Sequence, residues 1–120
     1  MCEHNCVLGV PINEKGVQLV EMTYDLYTPD LEDNLRWFQF SLEEIDKVYD
    51  LIDEFNQTFG MLIDNYEEEV LAADKVPEAL FIAKKHLEEA KEHSKRKILN
   101  RIIEALQLAS DTKMPVGFYL

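Results

Sequence analysis

The sequence is poor in residues that interrupt a chain, with four glycines and four prolines among 120 residues. It has only two cysteines, Cys2 and Cys6, too few for a disulfide framework. No segment approaches the roughly 20 apolar residues of a membrane-spanning helix, and the N-terminus lacks the basic and apolar regions of a signal peptide. We therefore expect a single cytoplasmic domain over residues 1–120, with free thiols and no membrane partner.

Motifs of catalysis and cofactor binding are also missing. The sequence contains no glycine-rich phosphate loop, no G-x-S-x-G turn and no H-E-x-x-H helix. Carboxylates are so numerous that finding two of them close together has no diagnostic value. An active site would have to be assembled by tertiary structure alone, so these absences weigh against an enzyme and favour a protein without a cofactor.

Acidic residues outnumber basic ones by 24 to 12, which gives a net charge of -12. Such a charge repels phosphate and therefore disfavours nucleic acids and anionic membranes as partners. Residues 1–83 carry 19 acidic and 4 basic side chains, whereas residues 84–120 carry 5 and 8. Either the molecule presents an acidic side to a basic partner, or the basic segment lies beside the acidic one and neutralises it.

Four segments have the pattern of β-strands. Residues 7–12 form a short apolar run that ends at Asn13 and Gly16, which suit a tight turn, and apolar residues alternate over residues 17–27. This pattern predicts a β-hairpin. Residues 35–40 are rich in aromatic side chains and predict a third strand, and the apolar residues 114–120 predict a fourth.

Two long helices are predicted between the third and fourth strands. Ser41 and Glu44 form a capping box, and apolar residues then recur every three or four positions as far as Val70, which predicts a helix of about 30 residues. A second helix is predicted from Pro77 to Ala109, antiparallel to the first. We therefore predict an α+β fold in the order β-β-β-α-α-β, with a three- to four-stranded, mainly antiparallel sheet packed against a long antiparallel helical hairpin.

The predicted first helix carries acidic residues on the side away from its apolar stripe. One interpretation is a docking surface for a basic site on a partner protein, such as a nuclease or toxin, which inhibitors, immunity proteins and antitoxins occupy as a functional class. The alternative is a solvated helix face that only aids solubility. The predicted partner-binding residues are Glu43, Asp46, Asp50, Asp53, Glu54, Asp64 and Glu68.

We predict no metal site, but two groups of residues have suitable chemistry. His86, Glu89 and His93 follow the i, i+3, i+7 spacing of one helix face, which makes a small metal-binding protein or metal-dependent enzyme the alternative function. Cys2, His4 and Cys6 would share one face of an extended segment and could supply three zinc ligands. Their spacing is not the usual C-x2-C, which weighs against that site.

Two further interpretations concern the predicted helices: the first rests on the second helix alone, and the second rests on both. The basic cluster of the second helix could bind a nucleic acid, although the overall charge makes this a minor alternative. The apolar stripes of two helices about 45 Å long exceed what a small sheet covers, so the hairpin could also self-associate as a homodimer. The basic cluster contains Lys91, Lys95, Arg96, Lys97 and Arg101.

Overall fold

Four strands form one sheet in the computed structural model, which describes residues 6–22, 35–61, 63 and 68–119. The strands are β1 (Cys6–Pro11), β2 (Leu35–Phe40), β3 (Glu68–Leu71) and β4 (Val116–Tyr119). Their order is β2-β1-β4-β3, and every neighbouring pair is antiparallel. The predicted α+β class, the antiparallel sheet and its C-terminal strand are confirmed.

Helices occupy most of the remaining described chain. They are α1 (Glu14–Met22), α2 (Leu42–Lys47), α3 (Tyr49–Phe59), a short 3-10 helix (Ala73–Lys75), α4 (Val76–Glu89) and α5 (His93–Thr112). The contact between α4 and α5 is the most extensive between any two elements, so these two helices form the helical hairpin. Among the described helices, none has the length and apolar character that a membrane span requires.

One face of the sheet and the helices share the hydrophobic core. Leu8 and Phe118 are paired across β1 and β4, and each is 1% exposed. Phe118 meets Phe55 of α3 edge to face, with 6.2 Å between ring centroids, and Ile102 of α5 belongs to the same cluster. Burial of a side chain of this size stabilises a fold by about 1.5–3 kcal/mol relative to leaving it exposed. The core therefore fixes the positions of the helices that carry the charged residues.

The predicted β-hairpin is wrong. Residues 17–22 belong to helix α1, and residues 23–27 lie outside the described part of the chain. The side chain of Asn13 accepts a hydrogen bond from the N–H of Gly16 at 2.8 Å, and its carbonyl accepts one from the N–H of Val17. Asn13 therefore caps a helix instead of opening a turn, and β1 pairs with β2 and β4.

The predicted first helix begins correctly but is too long. The capping box at Ser41 is confirmed. The helix is interrupted at Val48, which is fully buried with φ -114° and ψ 21°, and α3 ends at Gly60, whose φ of 65° favours glycine. The amide side chain of Asn56 then bonds both the N–H and the carbonyl of Ile63, at 2.7 and 2.8 Å. This clamp turns the chain away from the helix axis before it returns as β3.

The predicted second helix is interrupted as well. Pro77 lies in the first turn of α4, as expected, but residues 90–92 separate α4 from α5. The helical hairpin is consequently shorter than predicted and is built from the two halves of this segment. Relative to the predicted order β-β-β-α-α-β, the described chain has a helix in place of the second strand, and strand β3 lies between α3 and α4.

Candidate functional site

Charged side chains line the seam where α2 and α3 meet the hairpin of α4 and α5. Asp50, Glu54 and Glu44 from the first half of the chain contact His86, Lys95 and Arg101 from the second half there, while Lys47 and Glu92 form a pair with the signs reversed. The alternative in which the basic segment lies beside the acidic one and neutralises it therefore holds for these pairs. This set, called the polar seam below, contains Glu44, Lys47, Asp50, Glu54, His86, Glu92, Ser94, Lys95 and Arg101.

His86 is the least exposed charged or titratable side chain of the polar seam, at 12%. Its Nε2 lies 2.8 Å from Oε1 of Glu54, and its Nδ1 lies 3.4 Å from Oδ2 of Asp50. A ring between two carboxylates donates a hydrogen bond to both when it carries both protons. Asp50 and Glu54 are like charges at i, i+4 on α3, an arrangement that costs an isolated helix about 0.2–0.5 kcal/mol. The position of His86 between them offsets that repulsion.

Asp50 also bonds Lys95, whose Nζ lies 2.8 Å from the Oδ2 that faces His86. Burial on its own raises the pKa of Asp50, but the hydrogen bond from Lys95 and the charges of Lys95 and His86 outweigh it. The pKa of Asp50 is therefore held below its ordinary value. Asp50 is ionised at neutral pH, and its charge is matched within the chain.

Glu92 lies at the start of α5 and links this helix to α2. The Nζ of Lys47 is 3.5 Å from Oε1 of Glu92 and 3.1 Å from Oγ of Ser94, and the hydroxyl of Ser94 donates to Glu92. The hydrogen bond from Ser94 and the charge of Lys47 hold the pKa of Glu92 below its ordinary value. Because Glu92 and Lys47 are exposed, the pair adds little stability but places α2 beside the α4–α5 connection.

Arg96 of the predicted basic cluster bonds the backbone at the end of α4. Its Nη1 donates to the carbonyl of Leu87 at 2.6 Å and to the carbonyl of Ala90 at 3.0 Å. The last carbonyls of a helix have no partner within the helix itself. Arg96 therefore supplies donors for the end of α4 from the first turns of α5.

Arg101 of the same cluster covers the outer edge of β2. Its guanidinium lies 4.4 Å from the centroid of the Phe40 ring, donates to the carbonyl of Gln39, and lies 3.3 Å from a carboxylate oxygen of Glu44. Lys91 and Lys97 are exposed, and neither forms an ion pair within the described residues. Much of the basic cluster is therefore engaged within the chain, which leaves few cations for a nucleic acid.

Three predicted partner-binding residues on α2 and α3 lie outside the polar seam. Glu43 and Asp46 of α2 are exposed and form no ion pair with the described residues. Asp53 of α3 is exposed and accepts a hydrogen bond only from Gln57, at 2.9 Å, within that part of the chain. We call Glu43, Asp46 and Asp53 the outer acids. Their negative charges are exposed, and no cation of the described residues pairs with them.

The continuous acidic helix face predicted from the sequence is wrong. Its members are distributed over α2, α3 and strand β3, because the helix is interrupted at Val48 and ends before Gly60. Glu68 is the first residue of β3, and Asp64 lies outside the described residues. Asp50 and Glu54 are in the polar seam. On α2 and α3, the part of the predicted face that lies outside the polar seam is therefore limited to the outer acids.

Cys6 is the described member of the possible zinc-binding group at the N-terminus. It lies in strand β1 with 0% exposure, and its thiol is free. Burial, together with the negative charge of Asp46, raises the pKa of the Cys6 thiol, so it is a poor nucleophile at neutral pH. Cys2 and His4 lie outside the described residues.

A metal site at His86, Glu89 and His93 would need one continuous helix to bring the three side chains onto one face. The structure does not have that helix. The chain leaves the helix between Glu89 and His93, and His86 faces the carboxylates of α3. In the ranges that the structure describes, no group of three or more histidine, cysteine, aspartate or glutamate residues has an arrangement that could hold a metal ion.

The apolar stripes that suggested self-association are divided and buried. Ile45, Leu51 and Ile52 of α2 and α3 are at most 1% exposed, and Leu99 of α5 is fully buried. Large exposed hydrophobic side chains in the described chain occur singly on different elements, which is ordinary for a protein surface. They are Ile12, Tyr49, Val70 and Phe81.

A pocket of about 320 Å³ lies between α1, the end of β3 and the segment before β4. Its described lining is mostly apolar, and Lys113 is the one charged residue among the described residues that line it. It is lined by Val17, Val70, Ala72, Ala73, Lys113, Met114 and Pro115.

Sequence reasoning missed the pairing of His86 with Asp50 and Glu54. One signal for it was available, because like charges at i, i+4 on α3 are unfavourable unless a cation lies near them. The residues that meet this need, His86 and Lys95, lie 32 positions from Glu54 and 45 positions from Asp50 along the chain. The approach of Lys95 to Asp50 depends on the reversal of the chain at residues 90–92, for which the sequence carries no ordinary helix-ending signal.

Comparison of the chain with protein-family models, with curated proteins and with solved structures gave no match. The fold and the distribution of charge therefore carry the functional argument.

Proposed function

We propose that this chain is a non-enzymatic binding protein whose acidic surface occupies a basic site on a partner protein. The observation that carries the proposal is the contrast within α2 and α3. Asp50 and Glu54 are matched by His86 and Lys95, whereas the outer acids are exposed and have no cation near them in the described residues. Unmatched charge of one sign on a helix surface is suited to a partner of the opposite sign.

The charge of the remaining sequence supports a basic partner. All 12 basic residues lie within the described ranges. The residues outside those ranges, 1–5, 23–34, 62, 64–67 and 120, add seven acidic side chains and no Lys or Arg. An excess of this kind speeds the encounter with a basic partner and penalises an acidic one.

The outer acids are attached to a rigid part of the structure. Ile45 of α2 and Leu51 and Phe55 of α3 each have 0% exposure, so the two helices are fixed in the core. A surface that is ordered before binding loses little conformational entropy when the complex forms. Protein inhibitors that present charges to a defined site benefit from this preorganisation.

The partner we propose is a protein with a cationic functional site, such as a nuclease or toxin, and the chain would act as its inhibitor, immunity protein or antitoxin. A nucleic-acid-binding site is basic because it meets phosphate, and carboxylates presented on a rigid surface are able to occupy such a site. The proposal places both proteins in the cytoplasm, which fractionation of the native cells with an antibody to the chain would test.

The experiment compares two variants that lose the same charge at different places. The first neutralises the outer acids with Glu43→Gln, Asp46→Asn and Asp53→Asn. The matched control carries Glu78→Gln, Glu88→Gln and Glu104→Gln, at exposed acids of α4 and α5 that form no ion pair within the described residues. Affinity capture from native cells with the wild-type chain identifies the partner, and titration calorimetry then measures binding.

We expect the outer-acid variant to bind the partner about tenfold more weakly or worse, a loss of about 1.4 kcal/mol. The control should bind like the wild type, and the wild-type affinity should fall as salt is added. Equal losses of affinity in the two variants would mean that binding depends on the net charge of the chain and not on the positions of the outer acids. An acidic partner, or full binding by the outer-acid variant, would contradict the proposal.

A further inference from the structure

The connection between α4 and α5 interrupts a segment whose sequence favours a continuous helix. Residues 88–92 read Glu-Glu-Ala-Lys-Glu, all of them good helix formers, and neither glycine nor proline occurs between Pro77 and Pro115. Ala90 and Glu92 nevertheless have extended conformations, with ψ 129° at both residues. The local sequence and the observed backbone therefore disagree at residues 90–92.

The ends of both helices lack the usual stop signals. Glu92 precedes α5 but makes no capping hydrogen bond with its side chain, and Ala90 follows α4 where a left-handed glycine is common. The carbonyls of Leu87 and Ala90 are bonded instead by Arg96, which belongs to α5. The interruption is thus maintained by packing and by a contact of the hairpin with itself.

The part of the chain after this connection packs against the rest of the fold on several sides. Helix α5 packs on α4, and β4 lies between β1 and β3. Its apolar residues Leu99, Ile102 and Phe118 are at most 1% exposed. We call residues 93–119 the C-terminal arm. If residues 90–92 became helical, α4 and α5 would form one helix about 55 Å long, and the arm would leave its own domain.

A second copy of the chain is the partner that fits the displaced arm. When the arm leaves, it exposes a site that fits its shape and that is bounded by the backbone hydrogen-bonding edges of β1 and β3. Every copy of the chain has the same site. We propose that the chain forms a domain-swapped dimer in which two copies exchange the C-terminal arm through the hinge at residues 90–92.

Two opposing changes decide whether the swapped dimer forms. The arm makes the same contacts with the body of the partner copy as it makes with its own body. Residues 90–92 gain helical hydrogen bonds, while the two bonds from Arg96 to Leu87 and Ala90 are lost. Because two chains associate to form one dimer, a higher protein concentration favours the dimer.

The ion pair between Asp50 and Lys95 offers a direct test of exchange. Asp50 lies in the body and Lys95 in the arm, with 2.8 Å between their charged atoms. Equal amounts of the unlabelled and 15N-labelled full-length chain are unfolded together, refolded at low and at high concentration, separated by size and coupled with a carbodiimide, which joins a carboxylate and an amine in contact. Mass spectrometry then shows whether the coupled peptides come from one chain or from two.

We expect a dimer after refolding at high concentration, with mixed-isotope Asp50–Lys95 peptides as abundant as the two unmixed kinds together. The monomer should give unmixed peptides alone. A dimer with unmixed peptides alone would overturn the proposal, because the chains would then associate without exchange. The proposal would also be overturned if both the wild type and Arg96→Ala stayed monomeric at low and at high concentration.

Two pairs of variants test the hinge. Proline fits the φ of -75° at Glu92 but cannot lie inside a continuous helix, so Glu92→Pro should abolish the dimer, whereas Glu92→Ala should form at least as much dimer as the wild type. Arg96→Ala removes the bonds that hold the hairpin and should raise the dimer fraction severalfold. Lys97→Ala, at the exposed neighbouring position, should leave it unchanged. Undiminished exchange in Glu92→Pro would place the hinge elsewhere and overturn the assignment.

Discussion

The acids of α2 and α3 face two environments. On the inner side, Asp50 and Glu54 contact His86 and Lys95, and the pKa of Asp50 is lowered. On the outer side, the exposed residues Glu43 and Asp46 have no such contact among the described residues. Residues of the same type on neighbouring turns thus have different surroundings, since the inner acids contact other helices and the outer acids, for which we propose partner binding, are exposed. The predictions below test this division, in decreasing order of expected effect on stability.

Replacing His86 should have the largest effect. His86→Ala truncates a side chain that is 12% exposed and removes the ring from between Asp50 and Glu54, whose side chains are 53% and 41% exposed. We expect the free energy of unfolding to fall by about 1–2 kcal/mol, because the packing of a largely buried ring and its hydrogen bond are lost while water still reaches the two carboxylates. Urea unfolding followed by circular dichroism measures the change. His93→Ala is the matched control, because His93 is exposed, and it should stay within about 0.5 kcal/mol of the wild type.

Replacing Arg101 should have a smaller effect. Arg101→Ala removes the contact with the Phe40 ring and the bonds to Gln39 and Glu44. Because the Arg101 side chain is 38% exposed, we expect a loss of about 1 kcal/mol in the free energy of unfolding. Lys97→Ala in the same helix provides the comparison. If the two variants were equally stable, the contacts of Arg101 would contribute nothing to the fold.

Acid should weaken the inner side in a specific range of pH. The pKa of Asp50 is lower in the folded chain than in the unfolded chain, so the unfolded chain binds the proton first as the pH falls. The stability from Asp50 is complete above its ordinary value, about 3.9, and is lost as the pH falls through the lower folded value. The free energy of unfolding of wild type should therefore decrease more steeply below pH 4 than that of Asp50→Asn. Parallel curves would show that Asp50 has the same pKa in both states.

Neutralising the outer acids should have the smallest effect on stability. The variant Glu43→Gln, Asp46→Asn and Asp53→Asn removes exposed charges that have no cation near them, so its free energy of unfolding should stay within about 0.5 kcal/mol of the wild type. Urea unfolding of the variant and of its Glu78, Glu88 and Glu104 control measures this. A loss comparable to that of His86→Ala would mean that the outer acids also support the fold, and the division into two sides would fail.

Local patterns were sufficient where a single segment determines the outcome. The aromatic residues 35–40 form β2, the capping box at Ser41 starts α2, and the apolar end of the chain forms β4. Asn13 shows the limit of such patterns, because the same side chain suits a tight turn and a helix cap. The competing hydrogen bond from Gly16 decides in favour of the helix.

The candidate site depended on interactions that no single segment contains. Val48 interrupts a helical pattern although it is an apolar residue at a core position, and residues 90–92 do so although they favour helix. In both places packing against other elements overrides local preference. The interruption at Val48 separates Glu43 and Asp46 on α2 from the acids of α3, and the reversal at residues 90–92 brings Lys95 to Asp50. The sequence therefore predicted the acidic residues but not their division.

The position of β4 also determines when the sheet is completed during synthesis. Val7 of β1 pairs with Tyr119 of β4, and β3 has no described neighbour in the sheet except β4. A nascent chain therefore cannot complete the sheet until residue 119 has left the ribosomal exit tunnel. Until then β1 lacks its β4 partner and β3 has no neighbour among the described strands, so the sheet stays incomplete while this part of the chain is still inside the tunnel.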